Sequence, residues 1–420
     1  MAEPQRASQV SRDGRRVWAG VRWPHSTRLL GVATLLLGGM WMVAAGAAQA
    51  SQTGSAAGSG WKVEPTPNPA GAAINELSAV SCSSGRACTA VGSRAISLSS
   101  PTFTLAERWN GTRWRIQRTA LPTGAAGGTL SGVSCPSATA CTAVGSAFGK
   151  AGRTVNLAEA WNGTRWRVQA VPNPKGSANG SLHGISCTSR SACTAVGSYD
   201  NAAGHVLAVA ERWNGARWAI QPVPRPAGAA SEQFLGVSCA AARACIAVGY
   251  YTGAGGTRPF AEAWNGTKWH IQAVPLPRKS PGGILAAVSC TSARACTAAG
   301  ASFSTSGPTL AERWNGTRWR VQATPFPANS GTSREEVQLN GVSCASANAC
   351  TASGAYAPGG QPAYFLEAWN GRSWRLVTAP RPARFTAGAL NGLSCAAARC
   401  TAAGAWSGGA VSVATLAMAN

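Results

Sequence analysis

Two phrases recur along this chain at a nearly constant interval. One carries a pair of cysteines, as in "GVSCPSATACTAVGS", and occurs seven times; the other, as in "AERWNGTRWRIQ", occurs six times. Successive first cysteines lie 53, 52, 52, 51, 54 and 51 residues apart. That period suits propeller blades, not helical solenoids or leucine-rich repeats. Each period holds four β-like runs; in the third repeat they are "LHGISC", "CTAVGS", "VLAVAERWN" and "RWAIQPVP". Four antiparallel strands per repeat make a blade.

The unequal counts show how the ring closes. Before the first cysteine pair, "WKVEPTPNP" (61–69) matches the fourth run, as in "WRVQAVPNP" (166–174). After the last pair, "TLAMAN" (415–420) matches the third run. One blade is therefore split, its outermost strand coming from the N-terminal side and its inner three from the C-terminal side. The expected architecture is all-β: a seven-bladed β-propeller over residues 61–420, four antiparallel strands per blade, the last blade closed by the N-terminal strand.

The recurrent Asn-Gly predicts a two-residue type I′ turn, which needs positive φ at both positions. With that turn, Leu105, Glu107, Trp109, Trp114 and Ile116 share one face of the hairpin, and Ala106, Arg108, Arg115 and Gln117 share the other. The Trp-bearing face is the one expected to pack. Asn-Gly-Thr is also a glycosylation sequon, but the turn accounts for all copies.

All 14 cysteines fall in close pairs: Cys82/Cys88, Cys135/Cys141, Cys187/Cys193, Cys239/Cys245, Cys290/Cys296, Cys344/Cys350 and Cys395/Cys400. In an exported chain this reads as one disulfide per blade, a local staple clasping a hairpin near its turn. Zinc needs four ligands close together, and the next pair lies a full period away, so no metal site is expected.

Export is what the first fifty residues suggest. A basic leader precedes the uncharged run Leu29 to Ala47, followed by Ala48-Gln49-Ala50, a small-x-small cleavage pattern. Residues 1–50 read as a signal peptide or an uncleaved membrane anchor through 29–47, and 51–60 as a flexible linker. Either version places the remainder outside the cytoplasm, secreted or associated with the envelope. The formal net charge of +23, from 37 Lys and Arg against 14 acidic residues, favours polyanionic partners. Zinc-finger, helix-turn-helix and RRM signatures are missing, so specific nucleic-acid binding is not expected.

The "WNGTRW" corner resembles the Asp-box of sialidase-type propellers, and the layout is similar to Kelch repeats without their Gly-Gly doublet. The "SC…C.AVG…WNG..W" phrases resemble exported actinobacterial repeat proteins, a group generally of unknown function. The resemblance implies a fold and leaves activity open. A sialidase-type arginine triad and Tyr-Glu pair cannot be matched here. Asp200 is the only aspartate beyond the leader, and His183, His205 and His270 are scattered.

No catalytic residues and no cofactor are expected. Six glutamates (Glu107, Glu159, Glu211, Glu262, Glu312, Glu367) recur on the Trp-bearing face, with Met418 in the seventh place. Burial would demand partners, expected to be Arg or turn amides across the blade junction. Recognition is expected on the opposite disk face, where loops vary: Tyr199, Asp200, His205, Tyr250, Tyr251, Arg258, Phe260, Tyr356 and Tyr364. The leading expectation is a monomeric, non-catalytic binding or scaffolding module for an envelope protein or anionic polymer. Its alternatives are a multivalent lectin using Trp/Glu/Arg pockets between blades, as in fucose-binding propeller lectins, and a hydrolase or oxidase built on Asp200 or His205.

Overall fold

The structure is a computed structural model describing residues 60–149, 152–304, 308–327, 337–358, 361–397, 399–408 and 412–420. The leader and residues 51–59 of the linker lie outside the described residues. Twenty-eight described strands form seven four-stranded antiparallel sheets. The first blade is typical: β2 (Ile74–Ser84), β3 (Ala87–Ala95), β4 (Phe103–Trp109) and β5 (Trp114–Gln117) pair in sequence order from the axis outward. Five further blades repeat this plan.

The seventh blade is the split one. Its order is β1 (Lys62–Glu64), β28 (Ala414–Ala419), β27 (Arg399–Ser407), β26 (Ala387–Ala396), with Lys62 opposite Ala419 and Glu64 opposite Ala417. No described residue lies in an α-helix, and no described helix is long and apolar enough to cross a membrane.

The inner strands of each blade are buried on both faces, where the hairpin pattern predicts one. The outermost strand buries only its Trp: Ile116, expected on the packing face, is exposed, as are Val168, Ile220, Ile271, Val321 and Leu376. Large side chains on one face, such as Leu130, Trp161 and Trp166, pack against the small face of the preceding blade, here Val91 and Ala106. A blade has two neighbours, so a polar inner face would strand its groups away from water. The innermost strand of every blade also carries a one-residue bulge, at Ser78 in the first blade. Beside it, Gly92 faces the Glu76 carbonyl so closely that a Cβ would collide with backbone. With no side chain at Gly92, Leu77 and Leu105 close over it from the strands on either side.

The Asn-Gly corner departs from the predicted turn. Trp109 pairs with Trp114, so Asn110, Gly111, Thr112 and Arg113 form a four-residue loop in which only Gly111 has positive φ. The Asn110 side chain does the organising: its Oδ1 accepts from the amides of Thr112 and Arg113 and from Thr112 Oγ1. An Asx cap, not a left-handed Asn, explains the recurrence.

All seven expected disulfides form: Cys82–Cys88, Cys135–Cys141, Cys187–Cys193, Cys239–Cys245, Cys290–Cys296, Cys344–Cys350 and Cys395–Cys400. Each clasps one hairpin near its turn, as expected: Cys82 lies opposite Cys88, with Ser84 and Ala87 closing the hairpin beyond them. The second cysteine of every pair (Cys88, Cys141, Cys193, Cys245, Cys296, Cys350 and Cys400) is buried, because it opens a middle strand that neighbouring blades cover on both faces. Each sulfur reaches the seam with the preceding blade. Thr401 Oγ1 lies 3.7 Å from Cys88 Sγ, Thr142 3.9 Å from Cys193, Thr297 3.7 Å from Cys350 and Thr351 3.6 Å from Cys400. Beside Cys296 the equivalent place is taken by Ile246, which packs in the same apolar cluster. These cysteines are therefore also packing residues of the blade junctions.

Candidate functional site

The serine preceding each first cysteine forms a device that sequence reasoning missed. Ser81 Oγ accepts from the Cys135 amide, Ser134 from Cys187, Ser186 from Cys239, Ser238 from Cys290, Ser289 from Cys344, Ser343 from Cys395 and Ser394 from Cys82, all at 2.9–3.0 Å. These bonds run once round the ring and return to the start. A second circuit lies further out. The Nε1 of Trp166, Trp218, Trp269, Trp319 and Trp374 each donates to a Gln Oε1 of the preceding blade, at 2.8–3.0 Å, and the series is interrupted before the seventh blade, where Val377 stands in the Gln position. At the closing seam Glu64 stands in the Gln position, accepting from Trp114 Nε1 at 2.8 Å and pairing with Arg399.

The six recurrent glutamates are fully buried, and no arginine reaches them. Glu159 accepts the Ala120 amide at 2.8 Å, and Glu211 accepts Asn156 Nδ2 at 2.8 Å. Neither oxygen of Glu262, Glu312 or Glu367 has a hydrogen-bond partner among the described residues. Of the expected partners, Arg or turn amides across the junction, only the amide is found, at Glu159; where no such partner stands, protonation takes its place. Burial pushes these carboxyls up, Glu159 to about 7 and Glu107, Glu211, Glu262, Glu312 and Glu367 to about 8. A neutral carboxylic acid is a tolerable interior group. Being sealed, these residues cannot touch a ligand.

The other described acids are engaged as well. Glu64 pairs with Arg399, Glu232 with Arg225 at 3.0 Å, Asp200 accepts Asn179 Nδ2 at 2.9 Å, and Glu76 accepts Asn391 Nδ2 at 3.1 Å. Arginines meanwhile stand exposed along the outer strands and corners, among them Arg113, Arg115, Arg165, Arg167, Arg318 and Arg320. The surface of the described region is cationic with little to offset it.

On the variable-loop face the nine candidates divide. Phe260 is buried and stacks on Phe234 at 5.0 Å. Tyr364 is buried and donates its hydroxyl to the Pro380 carbonyl at 2.7 Å, and Tyr250 is buried beside Gln233. Phe260 and Tyr250 pack between strands and Tyr364 holds the loop at Pro380, so none of the three presents a surface. Tyr199, Asp200, Tyr251, Arg258 and Tyr356 are partly exposed, and His205 is exposed. Tyr251 and Arg258 are cross-strand partners on the fourth blade. Tyr199 and Asp200 lie on the third blade beside it. Tyr356, two blades further on, takes a hydrogen bond from Arg381 at 3.2 Å. No cluster of acidic, His or Cys side chains among the described residues could hold a metal ion.

No family model and no curated protein matches this chain. Among solved structures it is similar to YCF48 bound to a D1 peptide, at 11% identity and a TM-score of 0.49, covering 85% of this chain and 96% of that one. It is similar to the Hadza microbial sialidase Hz136, at 8% identity and a TM-score of 0.43, covering 81% and 65%. It is also similar to the fucose-specific lectin from Aleuria aurantia, at 12% identity and a TM-score of 0.43, covering 73% and 97%. At these identities the likeness is one of fold.

Proposed function

We propose that this chain is a non-catalytic binding or scaffolding propeller that works outside the cytoplasm and holds an acidic polymer of the cell envelope. One observation carries the reading: every described acidic side chain is buried or engaged, while the arginines of the outer strands and corners face solvent. Such a surface attracts polyanions, and among the described residues little negative charge opposes them. Seven disulfides in small hairpins, with no free cysteine, support an oxidising, extracellular setting. On the variable face, Tyr199, Tyr251, Arg258 and Tyr356 supply partly exposed aromatic and cationic contacts.

Capture on immobilised polygalacturonate tests this. Binding should weaken by an order of magnitude or more as salt rises from roughly 50 to 500 mM, because surface charge is screened over that range. Tyr251→Ala with Arg258→Ala should weaken it further. Equal capture on neutral dextran, or no response to salt, would overturn the reading.

A further inference from the structure

Every blade but the seventh carries the same pair of indoles, Trp109 with Trp114 in the first, their centroids 5.7–5.9 Å apart. What lies over the inner indole differs from seam to seam. The third strands read AERW, AEAW, AERW, AEAW, AERW and LEAW, so the residue before the Trp alternates between Arg and Ala. Where it is Arg, its guanidinium covers the indole of the following blade: Arg108 over Trp161 at 5.5 Å, Arg212 over Trp264 at 5.0 Å and Arg313 over Trp369 at 5.6 Å. Where it is Ala160 or Ala263, no such lid covers the next indole, Trp213 or Trp314; both are part-exposed, as is Trp369 beneath its lid, so the guanidinium and not the exposure marks the difference. Ala368 faces the seventh blade, which has Asn420 in the Trp position.

The hydrogen bonds separate the same two seam types. Under a lid, the Nε1 of Trp109, Trp161, Trp264 and Trp369 is buried without a partner among the described residues. In the third seam the arginine has taken the acceptor itself: Arg212 Nη2 donates to the Ala242 carbonyl at 2.8 Å. The corresponding carbonyls in the unlidded seams, Arg190 O and Ala293 O, instead accept from Trp213 Nε1 and Trp314 Nε1, both at 3.2 Å. An unlidded indole is thus satisfied at its polar edge and offers only its face.

At the first unlidded seam the result is a cleft of about 280 Å³, lined by Ala160, Trp161, Trp213, Gln169, Asn162 and Arg190 among others. That falls just below the roughly 300–1,000 Å³ of pockets for drug-sized ligands, which suits a single small ring. Its nitrogen groups are donors, and the Thr142 and Ser191 hydroxyls beside them can donate or accept. Gln169 Oε1 is taken by Trp218 Nε1, and Asn162 Oδ1 by the Thr164 and Arg165 amides, leaving their NH₂ groups beside the Arg190 guanidinium. No carboxylate lines the cleft. A cationic ligand would meet the like charge of Arg190 with no carboxylate to offset it, whereas an oxygen-rich anion meets the Gln169 and Asn162 amides and Arg190, which also donates to the Thr139 carbonyl at 3.4 Å, against an otherwise apolar wall. The second unlidded seam shares Ala263, Trp314 and Gln272, whose Oε1 is taken by Trp319; Ala293 stands in the place of Arg190, its corner arginine, Arg294, lies one residue further on against Gly316, and the Asn265 amide is held by His270.

We infer that the two Ala-bearing seams are saccharide sites, each stacking a carboxylate-bearing pyranose on the open indole, Trp213 or Trp314, with its oxygens held by the Gln amide and the turn arginine. This rests on the acidic-polymer reading for the charge of the ligand, but uses the turn face of the disk and not the loop face.

The chain supplies its own blocking variants. Ala160→Arg and Ala263→Arg recreate the AERW phrase of the lidded blades, so the fold has already accommodated them, and melting curves check this. Calorimetric titration with trigalacturonate should show two sites on the parent protein, one on either single variant and none on the double variant. Arg212→Ala should uncover Trp264 and add a site. Unchanged trigalacturonate binding by the double variant, or preference for a cationic peptide over trigalacturonate, would overturn the assignment. The double variant should still capture polygalacturonate through its loop face, so loss of the seams and loss of the general reading give different results.

Discussion

Buried glutamate is the most costly residue choice in this molecule, and it is made six times. Each carboxyl is held neutral by its surroundings, so each favours the folded state most where the unfolded chain would already be protonated. The folded values of about 7 to 8 lie above the ordinary carboxylate value of 4.5, so this stability is fully present below 4.5 and is lost as pH rises through 8. Within that window each carboxyl lowers stability by up to about 1.4 kcal/mol per pH unit. The protein should therefore melt at progressively lower temperature between mildly acidic and alkaline buffer. Glu312→Gln, which stays neutral, should flatten the profile and melt above the parent at alkaline pH; an identical profile would refute the burial argument. The sequence showed these residues as a repeat and placed them correctly between blades. Their protonation depends on what the neighbouring blade offers, and no single repeat contains that information.

At the level of the strand pair, the disulfide and the serine bond act in different directions. The disulfide closes a loop of five or six residues within one hairpin, while the serine ties that hairpin to the next. Loop-closure entropy for so small a ring is about 2 kcal/mol. Replacing Cys239 and Cys245 by Ser should cost roughly that much in denaturant titration, with the ring intact by small-angle scattering. Ser186→Ala should cost a comparable ~1–3 kcal/mol by stranding the Cys239 amide. The cysteine pairing, strand count and split blade were all readable, because each is a property of one repeat or of the count of repeats. The burial of Cys88, Cys193, Cys296, Cys350 and Cys400 was not, because a neighbouring blade causes it. The Asn-Gly corner was misread, since the dipeptide signals a tight turn and the Asx cap that governs it appears only once the Trp109–Trp114 pairing fixes the loop length. The Ser, Gln and Arg seam contacts were likewise hidden, because their partners lie about a full repeat away.

For the whole ring, closure rests on three residue pairs of β1 with β28 and on the side chains around them. Trp61 is buried against the sixth and seventh blades, and Glu64 bridges the seventh to the first through Arg399 and Trp114. Trp61→Ala and Trp166→Ala should each cost about 3–5 kcal/mol as buried Trp truncations. Only the former should let the seventh blade exchange its amide hydrogens separately from the rest, because only there does the sheet depend on contacts such as Thr66 with Thr415, 349 positions apart. Equal protection of that blade in both variants would argue against closure as the weak point. The alternation of Arg and Ala has a consequence of parity. A two-blade rhythm cannot run unbroken round an odd-numbered circle, so somewhere two like seams must meet. They meet on either side of the first blade, where Arg399 caps Trp109 from a turn and Arg108 caps Trp161 from a strand. The open positions are left two blades apart on one arc of the disk, which would give any chain-like guest a preferred direction of travel.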